Sequence, residues 1–146
     1  MSKSNTFENE WLLHTFNNVA IPGIGDAAGV LGSAVAGVLY LSLHTADPGE
    51  AGTQATNEIA YTGYARVAVP RSAAGFVVSG STVTLAANQD FPEMTGGVGG
   101  TATFFSVGKA ASGATNILYS GPVAPTIPVA AGVTPRLKLT TAITED

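Results

Sequence analysis

Hydrophobic and polar residues alternate most regularly between Val38 and His44. Three leucines occupy every second position there, and a period of two places them on one face of an extended chain (Leu39, Leu41 and Leu43). The residues between them are more polar, as expected of a strand that lies on a core with one face. The next residues, Asp47-Pro48-Gly49, end the strand, because proline cannot donate a ladder hydrogen bond and glycine permits a reversal.

Further short stretches show strand-like patterns separated by turn signals. They are residues 64–69, 76–78, 82–85, 101–107, 116–120, 127–129 and 136–144, and a long polar loop covers 50–62. The segment Ser79-Gly80-Ser81 predicts a hairpin with a three-residue turn, and the prolines around Ile127 predict an edge strand. About eight short strands of this kind are typical of all-β domains. We therefore expect a mainly β fold, a single-domain antiparallel sandwich of jelly-roll-like type with one N-terminal helix.

The stretch from Ser4 to Asn18 predicts that helix. Asn5-Thr6-Phe7-Glu8 resembles a capping box, with a side-chain acceptor at the cap and a carboxylate three residues later. Apolar residues then follow at helical spacing (Phe7, Trp11, Leu12, Phe16 and Val19). This stripe packs either on the sheet of its own chain or, as an arm, on a neighbouring subunit. We divide the chain into an N-terminal helical arm, residues 1–20, and a β-sandwich domain, residues 21–146.

The composition limits the classes of partner. Only 11% of the 146 residues are charged, against about 25% in an ordinary soluble domain. A surface with so few charges indicates either burial against other subunits or a β surface made polar by Ser and Thr. The net charge is −4 and the six basic residues are scattered, so we expect no nucleic-acid binding. No apolar run reaches the roughly 18 residues of a membrane span, and no signal peptide is visible; we expect no membrane association.

The residues that carry chemistry do not form a recognised site. Two histidines and no cysteine make a zinc site difficult to build, and we expect no metal and no cofactor. Ser42, His44 and Asp47 suggest a catalytic triad, but nothing in the sequence exposes the serine as a nucleophile. We interpret His44 as a strand-end residue that hydrogen-bonds a turn, and Asp47 as a turn former. The chain is therefore predicted not to be an enzyme.

Several segments resemble a known protein family. Leu39-Tyr40-Leu41-Ser42-Leu43-His44-Thr45-Ala46-Asp47-Pro48-Gly49 is similar to a segment of a family of small tailed-phage virion proteins. The stretches Tyr61-Thr62-Gly63-Tyr64-Ala65-Arg66-Val67-Ala68-Val69 and Leu118-Tyr119-Ser120-Gly121 resemble two others, in the same order. Pro70-Arg71 departs from the family pattern. Members of this family are labelled tail fibre proteins, and some relatives are head decoration (cement) proteins; no catalytic residue comes with the resemblance.

The resemblance implies a structural virion protein. Our first interpretation is a capsid decoration protein on the outer capsid surface that binds and stabilises the lattice of the major capsid protein, and that also forms a homo-oligomer, a dimer or trimer. We expect the partner interface to include Phe7, Trp11, Phe16 and Ile127, since aromatic anchors and exposed strand edges dominate such contacts.

Two other interpretations remain open. One is a tail fibre or tail-tip component that contacts a host-surface polysaccharide through Tyr61, Tyr64 or the loop 96–100. The other is a cellular carbohydrate-binding β-sandwich.

Overall fold

The elements follow the predicted order, with differences at their ends. Residues 2–145, which the computed structural model describes, contain one helix and nine strands: α1 (Asn5–Asn17), β1 (Val38–His44), β2 (Val67–Pro70), β3 (Phe76–Ser79), β4 (Thr82–Leu85), β5 (Gln89–Asp90), β6 (Gly100–Gly108), β7 (Ile117–Val129), β8 (Arg136–Leu137) and β9 (Ala142–Thr144). The strands form sheets with the orders β2-β1-β6-β7, β3-β4-β9 and β5-β8. The prediction of a mainly β, antiparallel fold with one N-terminal helix is confirmed.

Contacts within the chain divide it into two compact units. Of the described residues, 2–38, 69–87 and 139–145 form the first unit, and 39–68 and 88–138 form the second. Each unit is assembled from segments that are distant in sequence, which is why the sequence shows no linear boundary between them. The division into an arm, 1–20, and a β domain, 21–146, stays a prediction.

In the first unit, helix α1 packs on the sheet of its own chain. Leu12 and Phe16 are fully buried, and the ring of Phe16 lies 5.0 Å from that of Phe76 on β3. The N-cap is Ser4, whose hydroxyl accepts a hydrogen bond from Phe7 N at 3.3 Å. The predicted capping box is therefore wrong by one residue, because Ser4 and not Asn5 takes the free N–H of the first turn. No helix within residues 2–145 has the length and apolar character of a membrane span.

A guanidinium closes the C-terminal end of this helix. Arg71 donates through Nε to the carbonyl of Thr15 at 2.7 Å and through Nη2 to the carbonyl of His14. Its Nη1 donates to Asn18 Oδ1 at 2.8 Å, and Asn18 itself caps the helix in the left-handed conformation with φ 60°. A cation at this position also opposes the negative end of the helix dipole.

Three predicted segments differ from the observed strands. The β3–β4 hairpin pairs Ser79 with Thr82, so its turn has two residues and not three. The predicted strands 116–120 and 127–129 are one strand, β7, which lies at the edge of its sheet as expected for its proline-rich end. The predicted strand 136–144 is split, because β8 pairs with β5 while β9 pairs with β4.

The strand β1 is buried on both faces from Leu41 onward. Its three leucines lie in the core as predicted. The polar face differs from the prediction, since Ser42 and His44 are also fully buried. The reason is that the loop after β1 folds back over this face and supplies hydrogen-bond partners for both side chains.

Candidate functional site

A chain of hydrogen bonds runs across the buried polar face of β1 and β6 in the second unit. Ser42 lies opposite Ser106 in the antiparallel register, with 2.8 Å between their hydroxyl oxygens. His44 Nε2 lies 2.8 Å from Ser106 Oγ, and its Nδ1 lies 2.8 Å from the carbonyl oxygen of Thr56. The carbonyl can only accept, so the hydrogen-bond network assigns the proton of the neutral ring to Nδ1. Ser106 then donates to His44 Nε2, and Ser42 donates to Ser106.

Gln54 joins this chain to the loop that covers it. Its side chain is fully buried, and Nε2 donates to Ser42 Oγ at 3.4 Å and to the Tyr40 carbonyl at 3.3 Å. Its Oε1 accepts from Thr115 Oγ1 at 2.7 Å and from Ala110 N at 3.3 Å. Gln54 thereby fixes β1 and the β6–β7 turn to the same loop.

A second buried group surrounds the Glu58 carboxylate. Arg66 donates to it with two bonds, from Nε to Oε1 at 2.7 Å and from Nη2 to Oε2 at 2.8 Å. The same guanidinium donates to the carbonyls of Ala110 at 3.0 Å and Gly113 at 2.9 Å. Tyr64 OH donates to Glu58 Oε1 at 2.9 Å and accepts from Leu43 N of β1 at 3.1 Å. Burial raises the pKa of the Tyr64 phenol well above its ordinary value, so it stays a hydrogen-bond donor.

The two tyrosines proposed to contact a polysaccharide make contacts within the second unit. Tyr61 is buried, its hydroxyl donates to the Pro92 carbonyl at 2.7 Å, and its ring lies 5.2 Å from that of Tyr64. Tyr64 stacks in turn on Phe91 at 6.1 Å. The prediction that Tyr61 is exposed is therefore wrong, because its ring packs on Tyr64 and its hydroxyl bonds Pro92, and Tyr64 is half-buried. In the loop 96–100, Val98 is 89% exposed.

The buried polar groups serve to hold the fold. Among residues 2–145, every buried side-chain nitrogen or oxygen has a hydrogen-bond partner. Burial lowers the pKa of the His44 imidazole below its ordinary value of 6.5, against the raising effects of the Thr56 carbonyl and Glu58. Asp47 does not reach His44; its Oδ1 accepts from Gly49 N at 2.8 Å, so it is a turn former as predicted.

Metal binding and acid–base catalysis are the two other kinds of chemistry considered for the described residues. No group of three or more His, Asp or Glu side chains within residues 2–145 is arranged to hold a metal ion. An open cleft of about 300 Å³ lies between Gly49-Glu50 and the start of β7, residues 117–120. It has a single carboxylate, Glu50, in its lining, so it lacks the paired groups of an acid–base site.

The sequence model of a protein family, described as podophage GP4 fiber I protein gp80, matches residues 2–143. The chain belongs to this gp80 family. Membership makes it a structural phage protein of the fibre type, confirming at that level the resemblance to phage virion proteins, and implies a role without catalysis. No curated protein matches the sequence.

In this gp80-family chain the four predicted interface residues differ in exposure. Trp11 is 41% exposed, and Phe7 and Ile127 are partly buried. Phe16 is fully buried against Phe76, so its side chain is part of the core and not an exposed anchor. Phe7, Trp11 and Phe16 lie on helix α1 in the first unit, and Ile127 lies on β7 in the second. The interface itself stays a prediction.

Three residues that organise the buried networks of this gp80-family member were not recognised from the sequence. They are Gln54, Glu58 and Ser106. Ser106 carries a weak signal, since it is a polar residue within the apolar strand Phe104-Phe105-Ser106-Val107. Gln54 and Glu58 carry none, because both lie in a segment that is polar throughout.

Proposed function

We propose that this chain is a structural component of a podophage tail fibre. The observation that supports the proposal is the match of residues 2–143 to a family described as a fibre protein. The protein acts in this proposal by contact alone, as a folded module whose surface joins it to other virion proteins.

The geometry of the second unit agrees with such a role. Its buried polar side chains make internal contacts: the ion pair of Arg66 with Glu58 holds the β6–β7 turn, and the chain from Gln54 to His44 holds β1 on β6. These bonds make the unit rigid and leave its function to the outer surface.

The alternative role is capsid decoration, our first interpretation. The two roles place the protein at different positions in the virion, so its location and copy number distinguish them. Antibodies raised against the purified chain are applied to intact particles with gold labels, and the copy number is measured by mass spectrometry relative to the major capsid protein. A fibre component labels the tail and is present in a handful of copies per particle. Label over the head with hundreds of copies overturns the fibre proposal in favour of decoration. Absence from purified particles overturns both.

A further inference from the structure

Exposed apolar side chains are concentrated in one part of the molecule. Ten large apolar side chains among residues 2–145 are substantially exposed, and nine of them lie in the first unit. Six lie within residues 19–38, which we term the apolar segment: Val19, Ile24, Val30, Leu31, Val35 and Val38. The apolar segment contains one charged residue, Asp26. Its surface is therefore almost entirely apolar and uncharged.

The apolar segment is held in a defined shape by hydrogen bonds. Ile21 and Val30 exchange both backbone hydrogen bonds at 2.9 Å, and Asp26 Oδ1 accepts from the backbone N–H groups of Ala28 and Gly29 at 2.8 and 3.0 Å. A Cβ at Gly29, which has φ +65°, would overlap the carbonyl oxygen of Ile21. The close approach of the two halves of the segment thus requires glycine.

A second set of contacts ties the apolar segment to the end of the helix. The Asn18 side chain donates to the Ser33 carbonyl at 2.8 Å and accepts from Ser33 N at 2.7 Å. Arg71 donates to Asn18 Oδ1 at 2.8 Å and to Ser33 Oγ at 3.2 Å. The surface is therefore formed before any partner binds, and little conformational entropy is lost on association.

We infer that the apolar segment is the contact surface between two copies of this chain. If about 150 Å², the lower end of the range for an aromatic side chain, is taken as the full area of each aliphatic one, the six exposed fractions amount to about 480 Å², within the range of the largest patches on monomers. A standard interface buries about 800 Å² per partner, and the alanines and glycines of the segment supply further area.

The distribution of charge selects a second copy as the occupant. The chain carries a net charge of −4, so two copies repel over most surfaces, but the apolar segment opposes only Asp26 to its counterpart. Charge-depleted, apolar cores are typical of homodimer interfaces. An anionic bilayer is disfavoured as occupant, because the segment has no lysine or arginine to attract headgroups. The inference does not depend on where in the virion the protein lies.

The test is the oligomeric state of the purified full chain by sedimentation velocity over a concentration series. Leu31 and Val35 are 67% and 80% exposed, so Leu31→Asp and Val35→Asp leave the core intact. The matched control is Val98→Asp, at a more exposed valine of the second unit. We expect a multimer for the native chain, at least a 100-fold weaker association for the double variant Leu31→Asp/Val35→Asp, and no change for the control.

Crosslinking gives a second measurement. The chain has no cysteine, so Val35→Cys introduces a single thiol, which a short bis-maleimide joins to its counterpart when the two segments face each other; Val98→Cys is the control. A native chain that is monomeric at all concentrations overturns the inference. A multimer that the two aspartates do not weaken also overturns it, as does a monomer that floats with phosphatidylcholine–phosphatidylglycerol vesicles.

Discussion

The substitution Arg66→Lys tests whether the buried guanidinium holds the second unit together. Lysine keeps the positive charge but replaces the planar fork with a single nitrogen. Arg66 makes four hydrogen bonds, two to Glu58 and one each to the carbonyls of Ala110 and Gly113. A lysine nitrogen that reaches Glu58 cannot also reach both carbonyls of the turn.

The expected loss follows from the number of bonds and their burial. A hydrogen bond to a charged group contributes about 1.5–3 kcal/mol when buried. The Arg66 side chain is 3% exposed, but the Glu58 side chain is 16% exposed. Water can therefore replace part of the hydrogen bonding that the Glu58 carboxylate loses in the variant. We therefore expect Arg66→Lys to lower the free energy of unfolding by about 2–3 kcal/mol. With a urea dependence of about 2 kcal/mol per molar, this moves the unfolding midpoint down by about 1–1.5 M.

The chain contains its own control for this experiment. Arg136 pairs with Asp90 through the same two guanidinium donors, Nε and Nη2, but these side chains are 54% and 45% exposed. Because solvent screens an exposed pair, Arg136→Lys is expected to leave the urea midpoint unchanged by circular dichroism. Equal shifts for the two variants, or a midpoint for Arg66→Lys within error of the native one, would refute the reasoning that burial gives Arg66 its effect.

Three further outcomes are expected. Gly108→Ala places a Cβ inside the Gln54 carboxamide and should lower the free energy of unfolding, measured in urea, by about 3 kcal/mol. In the control Gly121→Ala the Cβ meets Phe105 at an ordinary 3.5 Å, so the loss should be much smaller. Similar losses for the two variants would contradict the packing argument. Arg71→Ala removes the donors at the end of helix α1 and should destabilise the first unit by about 2 kcal/mol, read from the fluorescence of Trp11, the single tryptophan; an unchanged fluorescence transition would exclude this role. Burial lowers the pKa of His44 in the folded chain below 6.5, so the unfolded chain binds more protons than the folded one as the pH falls below about 6.5. The free energy of unfolding should therefore fall in this range and level off below the folded pKa. His44→Gln should remove this component of the pH dependence, and a variant with the native pH profile would show that His44 does not cause it.

Local sequence was sufficient for the elements whose signals are local. The alternation of leucines in Val38–His44 predicted β1, the helical spacing after Ser4 predicted α1, and the segment Ser79-Gly80-Ser81 predicted the β3–β4 hairpin, though with a turn one residue too long. The errors lie where two signals compete. Residues 116–120 and 127–129 were predicted as separate strands, but an edge strand tolerates proline because its outer N–H groups have no ladder partner, so β7 continues through Pro122 and Pro125.

The buried networks were beyond local sequence because their members come from distant segments. Ser42 meets Ser106 only through the register of β1 on β6, and Arg66 reaches Ala110 and Gly113 only after the β6–β7 turn is in place. In the same way, the sequence did not show that Tyr61 is buried, because the partner of its hydroxyl, the Pro92 carbonyl, is distant in sequence. Family resemblance supplied the class of function, which the residues alone did not.

The three prolines of β7 also affect how the protein behaves at high concentration. β7 ends the four-stranded sheet, and a free strand edge is the usual template on which misfolded chains add to one another. Pro122, Pro125 and Pro128 each lack the N–H that such growth requires. The edge of the four-stranded sheet is thereby protected against amyloid-like growth from β7.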